Sequence, residues 1–212
     1  MKITRAHLER FLAAHASNER ALDIGAGGSD YGRFFPNRVT IDSDPERKPD
    51  IVGDAHALPF PSASFALVLC TEVLEHLRDP RAAVLEMARV LAPGGRLLLT
   101  TRFVYPLHDT PHDYWRFTKY GLADLLGPEW ELESLAPEVP TLATLGVLLQ
   151  RVGFQTKLRG GKLTKLLVYS LARAFTFLDF LVVREYGNIQ RTKEEHEILT
   201  SGYYLVARRR VE

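Results

Sequence analysis

Ala21-Leu22-Asp23-Ile24-Gly25-Ala26-Gly27-Gly28-Ser29-Asp30 decides how this 212-residue chain is read. The first four residues have the apolar density of a buried strand. The glycines that follow mark a turn in which backbone can approach a ligand closely, because no Cβ stands in the way. A helix starting near Ser29 or Asp30, both good N-caps, is expected next. Its free N–H groups would face the ligand. Such a strand–turn–helix unit cradles a nucleotide-like molecule at the carboxyl edge of a parallel sheet. The dinucleotide fingerprint G-x-G-x-x-G needs glycine at position 30, where Asp30 stands, so the pattern is acid-x-Gly-x-Gly.

Outward from that stretch, strand and helix signals alternate. Arg38–Ile41 is a second strand ending at Asp42. Asp50–Gly53 is a short third ending at Asp54. Phe65–Cys70 is a continuous apolar fourth, as expected of a strand covered on both faces. Pro80–Leu91 repeats apolar residues at helical spacing until Pro93-Gly94-Gly95, and Arg96–Thr101 is the fifth strand. Thr118 caps a short helix that Gly127-Pro128 ends, and Trp130–Leu135 and Ser201–Arg208 are the last two strands. The alternation predicts an α/β fold: a doubly wound, Rossmann-like, seven-stranded and mostly parallel sheet with helices on both faces. Only seven residues separate Asp42 from Asp50, which predicts a loop or single turn there.

Composition bounds the partners. Net charge is +1, which supplies no field for nucleic acid, so none is expected as a partner. The single Cys70 excludes an intrachain disulfide framework and a cysteine-rich metal site. The first fifteen residues have no long apolar core; they predict a short amphipathic helix covering the sheet rather than a secretory leader, and a cytoplasmic protein.

Four ordered motifs between residues 20 and 101 resemble class I S-adenosylmethionine (SAM)-dependent methyltransferases of the type 11 kind. They are Asp23-x-Gly25-x-Gly27; Gly53-Asp54-Ala55-His56-Ala57-Leu58-Pro59-Phe60 followed by Ser64-Phe65; Thr71-Glu72-Val73-Leu74-Glu75-His76-Leu77; and Arg89-Val90-Leu91-Ala92-Pro93-Gly94-Gly95. The chain departs from the family at Ala66, where an aspartate usually stands, and at Ser29, with Gly28 one place early. The resemblance implies SAM as cofactor, S-adenosylhomocysteine as product and methyl transfer as chemistry. It gives the cofactor residues as Asp23, Gly25, Ala26, Gly27, Asp42, Ser43, Asp54, Ala55, Thr71, Glu72 and His76. Asp42, 17 residues after Gly25, is expected to accept from the ribose hydroxyls, with Asp44 as the fallback, and Asp54 from the adenine amino group. Two other readings stand: a SAM- or nucleotide-binding regulatory domain without catalysis, and a NAD-type oxidoreductase, which Asp30 disfavours.

Methyl transfer needs the acceptor held in line with the sulfonium, and a base only where the acceptor carries a proton. The run Tyr105–Thr118 is dense in His, Asp and aromatics. Its "HD-Y-W-R-F-T" pattern resembles a methyltransferase subgroup associated with surface-polysaccharide or sugar modification. His112 and His108 are the candidate bases, Tyr114 their companion and Arg116 the candidate anchor for an anionic acceptor. No metal is expected: Pro111 spoils a regular ligand face for His108, Asp109, His112 and Asp113.

Two regions follow: a SAM-binding core of residues 1–136 plus 200–212, and a helical insert of 137–199 where the family has a direct hairpin. From Val139 to Leu178 the insert has no acidic residue but carries Arg151, Lys157, Arg159, Lys162, Lys165 and Arg173. Leu163–Val183 reads as an apolar helix of about six turns, and Thr192–Leu199 as a polar one. The favoured expectation buries both apolar faces, in the protein or in a homodimer. The competing one lays residues 157–183 on a membrane surface, for a small-molecule or lipid-linked saccharide acceptor and a peripheral location.

Overall fold

The computed structural model describes residues 3–211. Seven strands form one sheet: β1 (Ala21–Ile24), β2 (Arg38–Asp42), β3 (Ile51–Val52), β4 (Phe65–Thr71), β5 (Leu91–Arg102), β6 (Trp130–Pro137) and β7 (Gly202–Arg209). Their order is β3-β2-β1-β4-β5-β7-β6. The first five are mutually parallel, and β7 runs antiparallel between β5 and β6. The helices are α1 (Ile3–Ala14), α2 (Pro80–Val90), α3 (Lys119–Leu126), α4 (Thr141–Gln155) and α5 (Gly161–Phe175).

By internal contacts the chain divides into two compact units. The larger holds residues 10–102, 107–136 and 203–212. Its core is the apolar run of β1 and β4: Leu22, Leu67, Val68, Leu69 and Cys70 have no exposed surface. Burial pushes the Cys70 thiol well above its ordinary range, which leaves it an inert core group. Phe11 in the second half of α1 packs on Tyr204 of β7, ring centroids 4.9 Å apart. Arg89 of α2 locks the crossover before β4: it donates to the carbonyls of Leu58 and Phe60 and pairs with Glu86, which accepts from Leu58 N–H. That explains why Arg89 and the Leu58-Pro59-Phe60 run read together as motifs.

Parallel register sets the functional edge. Ile24 lies beside Ile41 and Cys70, Ile41 beside Ile51, and Cys70 beside Leu99. The residues that leave these strands, Gly25, Asp42, Gly53 and Glu72, therefore emerge in one row.

The smaller unit comprises Phe103–Pro106, Pro137–Gly202 and the start of α1. Val139, Ala143 and Val147 form its core with Ile3 and Tyr105. α4 and α5 approach so closely that a Cβ on Gly146 would sit 2.4 Å from the Ala172 carbonyl oxygen. Asp179 accepts from Leu142 N–H and satisfies the start of α4.

Three expectations are corrected. No helix follows the glycine turn: the β1–β2 connection is turns only, with Gly25, Gly27 and Gly28 at positive φ. After it a single turn closes, Phe35 N–H donating to the Tyr31 carbonyl, and Pro36 ends it before a helix can propagate. The apolar insert helix ends at Phe175, not Val183, after about four turns. Thr192–Leu199 is not helical; Asn188 there takes the N–H groups of Thr192 and Lys193, and Glu197 is left-handed. Within the chain α5 covers one face only, and the homodimer is the part of that expectation left for the other. Only Ala172 is buried on it, while Leu163, Leu166, Leu167 and Leu171 are 45–79% exposed.

Candidate cofactor and acceptor site

A cavity of about 890 Å³ opens along the carboxyl edge of the sheet, wholly within the larger unit. Each parallel strand hands it residues in turn: Gly25 after β1, Asp42 and Ser43 from β2, Asp54 and Ala55 after β3, and Glu72, Val73 and His76 after β4. Asp109, His112 and Tyr114 line its other side.

Gly25 has to be glycine. Its φ is +65°, and a Cβ there would lie 2.3 Å from Val73 Cγ2. Two residues on, Gly27 N–H donates to Asp42 Oδ2 at 3.1 Å. Asp42 Oδ1 accepts from Asp44 N–H at 3.0 Å. The carboxylate thus ties the glycine turn to the end of β2 and keeps lone pairs for a diol. Asp44 caps the following 3-10 turn through Glu46 N–H.

Asp23 lies beneath the turn rather than in the cavity. It is fully buried, and Arg38 donates to it at 2.7 Å; the same guanidinium donates to the Ser29 carbonyl. Burial pushes the Asp23 carboxyl up to about 7 against the pull of Arg38. Ala26 and Gly27 line a second, smaller cavity with Ser29, Arg38, Arg47 and Lys48, and Thr71 is buried in β4. Of the eleven expected cofactor residues, Gly25, Asp42, Ser43, Asp54, Ala55, Glu72 and His76 come together; Asp23 supports them from below.

His56 fixes the Asp54 wall. Its Nε2 accepts from Asp79 N–H at 3.2 Å, so the proton sits on Nδ1, which donates to Asp54 at 2.6 Å. The His56 backbone N–H, first, and its ring hold the Asp54 carboxyl below its ordinary range. Glu72 is left-handed at φ 57°, a conformation that costs a non-glycine residue energy and that gathers at functional positions. Its N–H donates to Thr100, and its carboxylate meets Arg102 at the cavity wall.

Behind that wall stands Glu75, with no exposed surface. Burial alone would raise its pKa, but His108, the Arg102 charge, its own backbone and Thr101 together hold it below the ordinary value. Its carbonyl takes the N–H groups of Tyr114 and Trp115, and Trp115 Nε1 donates to the Leu77 carbonyl. The 112–115 loop is therefore strapped to the segment after β4. In the sequence Glu75 is marked only as part of the Thr71–Leu77 motif. Its place in a motif was visible, but its burial depends on side chains contributed by β5 and the loop.

The four acceptor-side candidates separate. His112 and Tyr114 line the cavity, and His112 Nδ1 is 2.9 Å from the Tyr114 hydroxyl. His108 lies behind them, 10% exposed, with Nδ1 3.4 Å from Asp113. Arg116 grips Asp113 with both terminal nitrogens at 2.7 Å, so it orders the loop instead of anchoring an acceptor. The Asp113 carboxyl, despite burial, is held at about 2 by Arg116 and His108.

Residues 22–99 match the family model described as "Methyltransferase domain". A demethylmenaquinone methyltransferase from Renibacterium salmoninarum is 43% identical over 102 residues, 42% of this chain and 43% of that protein. A ubiquinone/menaquinone biosynthesis C-methyltransferase from Shewanella halifaxensis is 29% identical over 114 residues, 50% of this chain and 45% of that protein. The chain thus spans less than half the length of these curated relatives. Among solved structures, a putative methyltransferase from Bacillus halodurans superposes with a TM-score of 0.59 at 20% identity, over 95% of this chain and 98% of that one. A [4+2]-cyclase superposes with a TM-score of 0.61 at 16% identity, over 99% and 81%. The domain match and the methyltransferase relatives imply SAM as the cofactor. The neighbours show the fold, and one of them is a cyclase, so the fold alone does not set the chemistry.

Proposed function

We propose that the chain is a SAM-dependent methyltransferase acting on a small-molecule acceptor. The observation that carries this reading is the single row of Gly25, Asp42, Asp54 and Glu72 along one cavity. Those groups match the cofactor end to end: open backbone at the turn, a carboxylate for the ribose diol, an acceptor for the adenine amino group and a carboxylate toward the sulfonium. SAM supplies an electrophilic methyl group. The protein's part is to hold the acceptor in line with it and exclude water. His112, hydrogen-bonded to Tyr114 at the open side, is placed to take a proton from an acceptor hydroxyl or amine.

The quinone methyltransferase relatives favour a small acceptor. The saccharide alternative rests on the Tyr105–Thr118 run alone. The insert, with an exposed leucine face beside basic side chains, serves in this reading as a peripheral membrane contact. No helix among the described residues is long and apolar enough to cross a bilayer.

Calorimetric titration with SAM, S-adenosylhomocysteine and NAD tests the cofactor, and mass analysis of products from mixed quinone and saccharide acceptors tests the chemistry. Binding of NAD in preference to SAM overturns the proposal. Binding of SAM without transfer to any acceptor favours the regulatory-domain reading.

A further inference from the structure

Glu75, His76 and His108 each offer one ligand atom within 4.8 Å of the other two. Glu75 and His76 sit on the 3-10 turn Leu74–His76 after β4, and His108 on the loop after β5. Three features of the cluster go beyond proximity.

The first is an unfilled oxygen. Glu75 Oε2 accepts from Thr101 Oγ1 at 2.8 Å, whereas Oε1 is buried and accepts no hydrogen bond. The nitrogens facing it are His108 Nε2 at 3.8 Å and Arg102 Nε at 4.0 Å, both beyond hydrogen-bond reach. A buried carboxylate oxygen left in this state is costly unless something fills it.

The second is the setting of the imidazoles. His76 Nδ1 lies 2.6 Å from the His112 carbonyl, which can only accept, so the proton is on Nδ1 and a neutral ring leaves its lone pair on Nε2. His108 turns Nδ1 toward the Asp113 carboxylate at 3.4 Å and Nε2 toward Glu75. His76 is thus set as metal-binding imidazoles are, with one ring nitrogen on a carbonyl and the other turned to the cluster. The two rings stand edge to face, centroids 4.7 Å apart.

The third is charge. Glu72, Glu75 and Asp113 face Arg102 and Arg116 across this network, leaving one negative charge over when the histidines are neutral. Arg102 is committed to Glu72, so it balances the cluster without occupying Oε1.

We propose that Glu75, His76 and His108 bind a divalent transition-metal ion through one carboxylate oxygen and two imidazole nitrogens. Two imidazoles with one carboxylate suit Zn²⁺, Co²⁺, Mn²⁺ or Fe²⁺, not the all-oxygen preference of Mg²⁺ or Ca²⁺. Bonds of about 2.0–2.2 Å put tetrahedral ligand atoms about 3.3 Å apart. The 3.8 Å gap between Glu75 and His108 therefore closes by about half an ångström, within reach of side-chain torsions. Three protein ligands leave a position open, and His76 lines the cavity that Glu72, His112 and Tyr114 share. An acceptor oxygen can occupy that position. This last step rests on the methyltransferase reading; the metal site itself does not.

The test uses the full chain without a histidine tag, stripped with chelator and titrated with Co²⁺ while its visible absorption is recorded, then with Zn²⁺ in competition. One Co²⁺ per chain is expected, with affinity falling at least tenfold in His76→Gln and in His108→Gln. Glu75→Gln is checked for folding by circular dichroism before it is titrated. No binding by millimolar Co²⁺, or binding that survives both histidine substitutions, overturns the proposal. SAM calorimetry on the same samples reports separately on the cofactor site, so a chain that binds Co²⁺ through these residues but not SAM sinks only the methyltransferase reading.

Discussion

Asp23 and Arg38 lie 2.7 Å apart beneath the glycine turn, and Arg38 passes that contact on to the Ser29 carbonyl. The acid therefore shapes the cofactor turn from inside the sheet without lining the cavity. Burial raises its pKa from 3.8 to about 7, so the folded protein holds this proton more tightly than the unfolded chain. The group's contribution to stability is complete below about pH 4 and is lost as pH rises through about 7. Asp23→Asn mimics the protonated acid at every pH. The stability difference, parent minus variant, should fall between pH 4 and pH 7, within a ceiling of about 4 kcal/mol for a three-unit shift. Urea unfolding at each pH measures it; a difference that rises with pH contradicts the assignment.

Asp42 takes Gly27 N–H and, in the proposed function, offers its remaining lone pairs to the ribose. Losing hydrogen bonds to a charged group costs roughly 1.5–3 kcal/mol. Asp42→Ala should weaken SAM binding about 10- to 150-fold, at 1.4 kcal/mol per tenfold. Asp44→Ala removes only the cap on Glu46 and should leave affinity within a few-fold. Calorimetry on both separates them, and the reverse order would move the ribose role to Asp44.

Arg89 holds two carbonyls of the Leu58–Phe60 crossover and the Glu86 carboxylate with one planar fork. A lysine cannot span those acceptors at once. Arg89→Lys should lower unfolding free energy by about 1.5–3 kcal/mol. It should also weaken SAM binding, because the crossover carries Asp54. Unchanged denaturant midpoints would show the fork to be dispensable.

The sheet was legible because its strands are apolar runs bounded by glycine, proline and aspartate. Pro80 and Thr118 likewise announce α2 and α3. The glycine turn misled in one respect: Ser29 and Asp30 look like helix caps, but only the turn Tyr31–Phe35 follows before Pro36. The row of Gly25, Asp42, Asp54 and Glu72 along one edge was legible because it follows strand order, a local property. The acceptor side was not, since Glu75, His108 and Arg116 take their roles from partners that only the fold supplies. Arg116 is the clear case: an exposed-looking cation in sequence, bound bidentately to Asp113 in space.

His112 and Tyr114 share a side-chain hydrogen bond on the open side of the cavity, and the contact of His112 with His76 runs through its backbone carbonyl, which an alanine keeps. His112→Ala should reduce turnover about 10²- to 10⁴-fold, the usual worth of a positioned base. SAM affinity should stay within a few-fold. Tyr114→Phe should cost less, since it removes only the partner that orients the ring. The acceptor used is the one returned by the product screen. A parallel fall in melting temperature and turnover would make the pair structural.

Leu163, Leu166, Leu167 and Leu171 are all exposed, as are Phe177 and Phe180 just beyond α5. Solvent-facing leucines at three- and four-residue spacing form a stripe, not scattered surface residues. Lys157, Arg159, Lys162 and Lys165 adjoin it in a stretch without a single acid from Val139 to Leu178. Apolar stripe and basic flank together match an anionic lipid surface, where each basic residue contributes about 1 kcal/mol close to the membrane. Flotation should therefore recover the protein with vesicles of phosphatidylglycerol and phosphatidylcholine, and much less with phosphatidylcholine alone. Salt should weaken the binding. Changing the four basic residues to Gln should remove the preference for anionic vesicles, and Leu163→Ser with Leu167→Ser should weaken binding to both kinds. A salt-independent dimer that ignores vesicles would instead give the leucine stripe to a second copy of the chain.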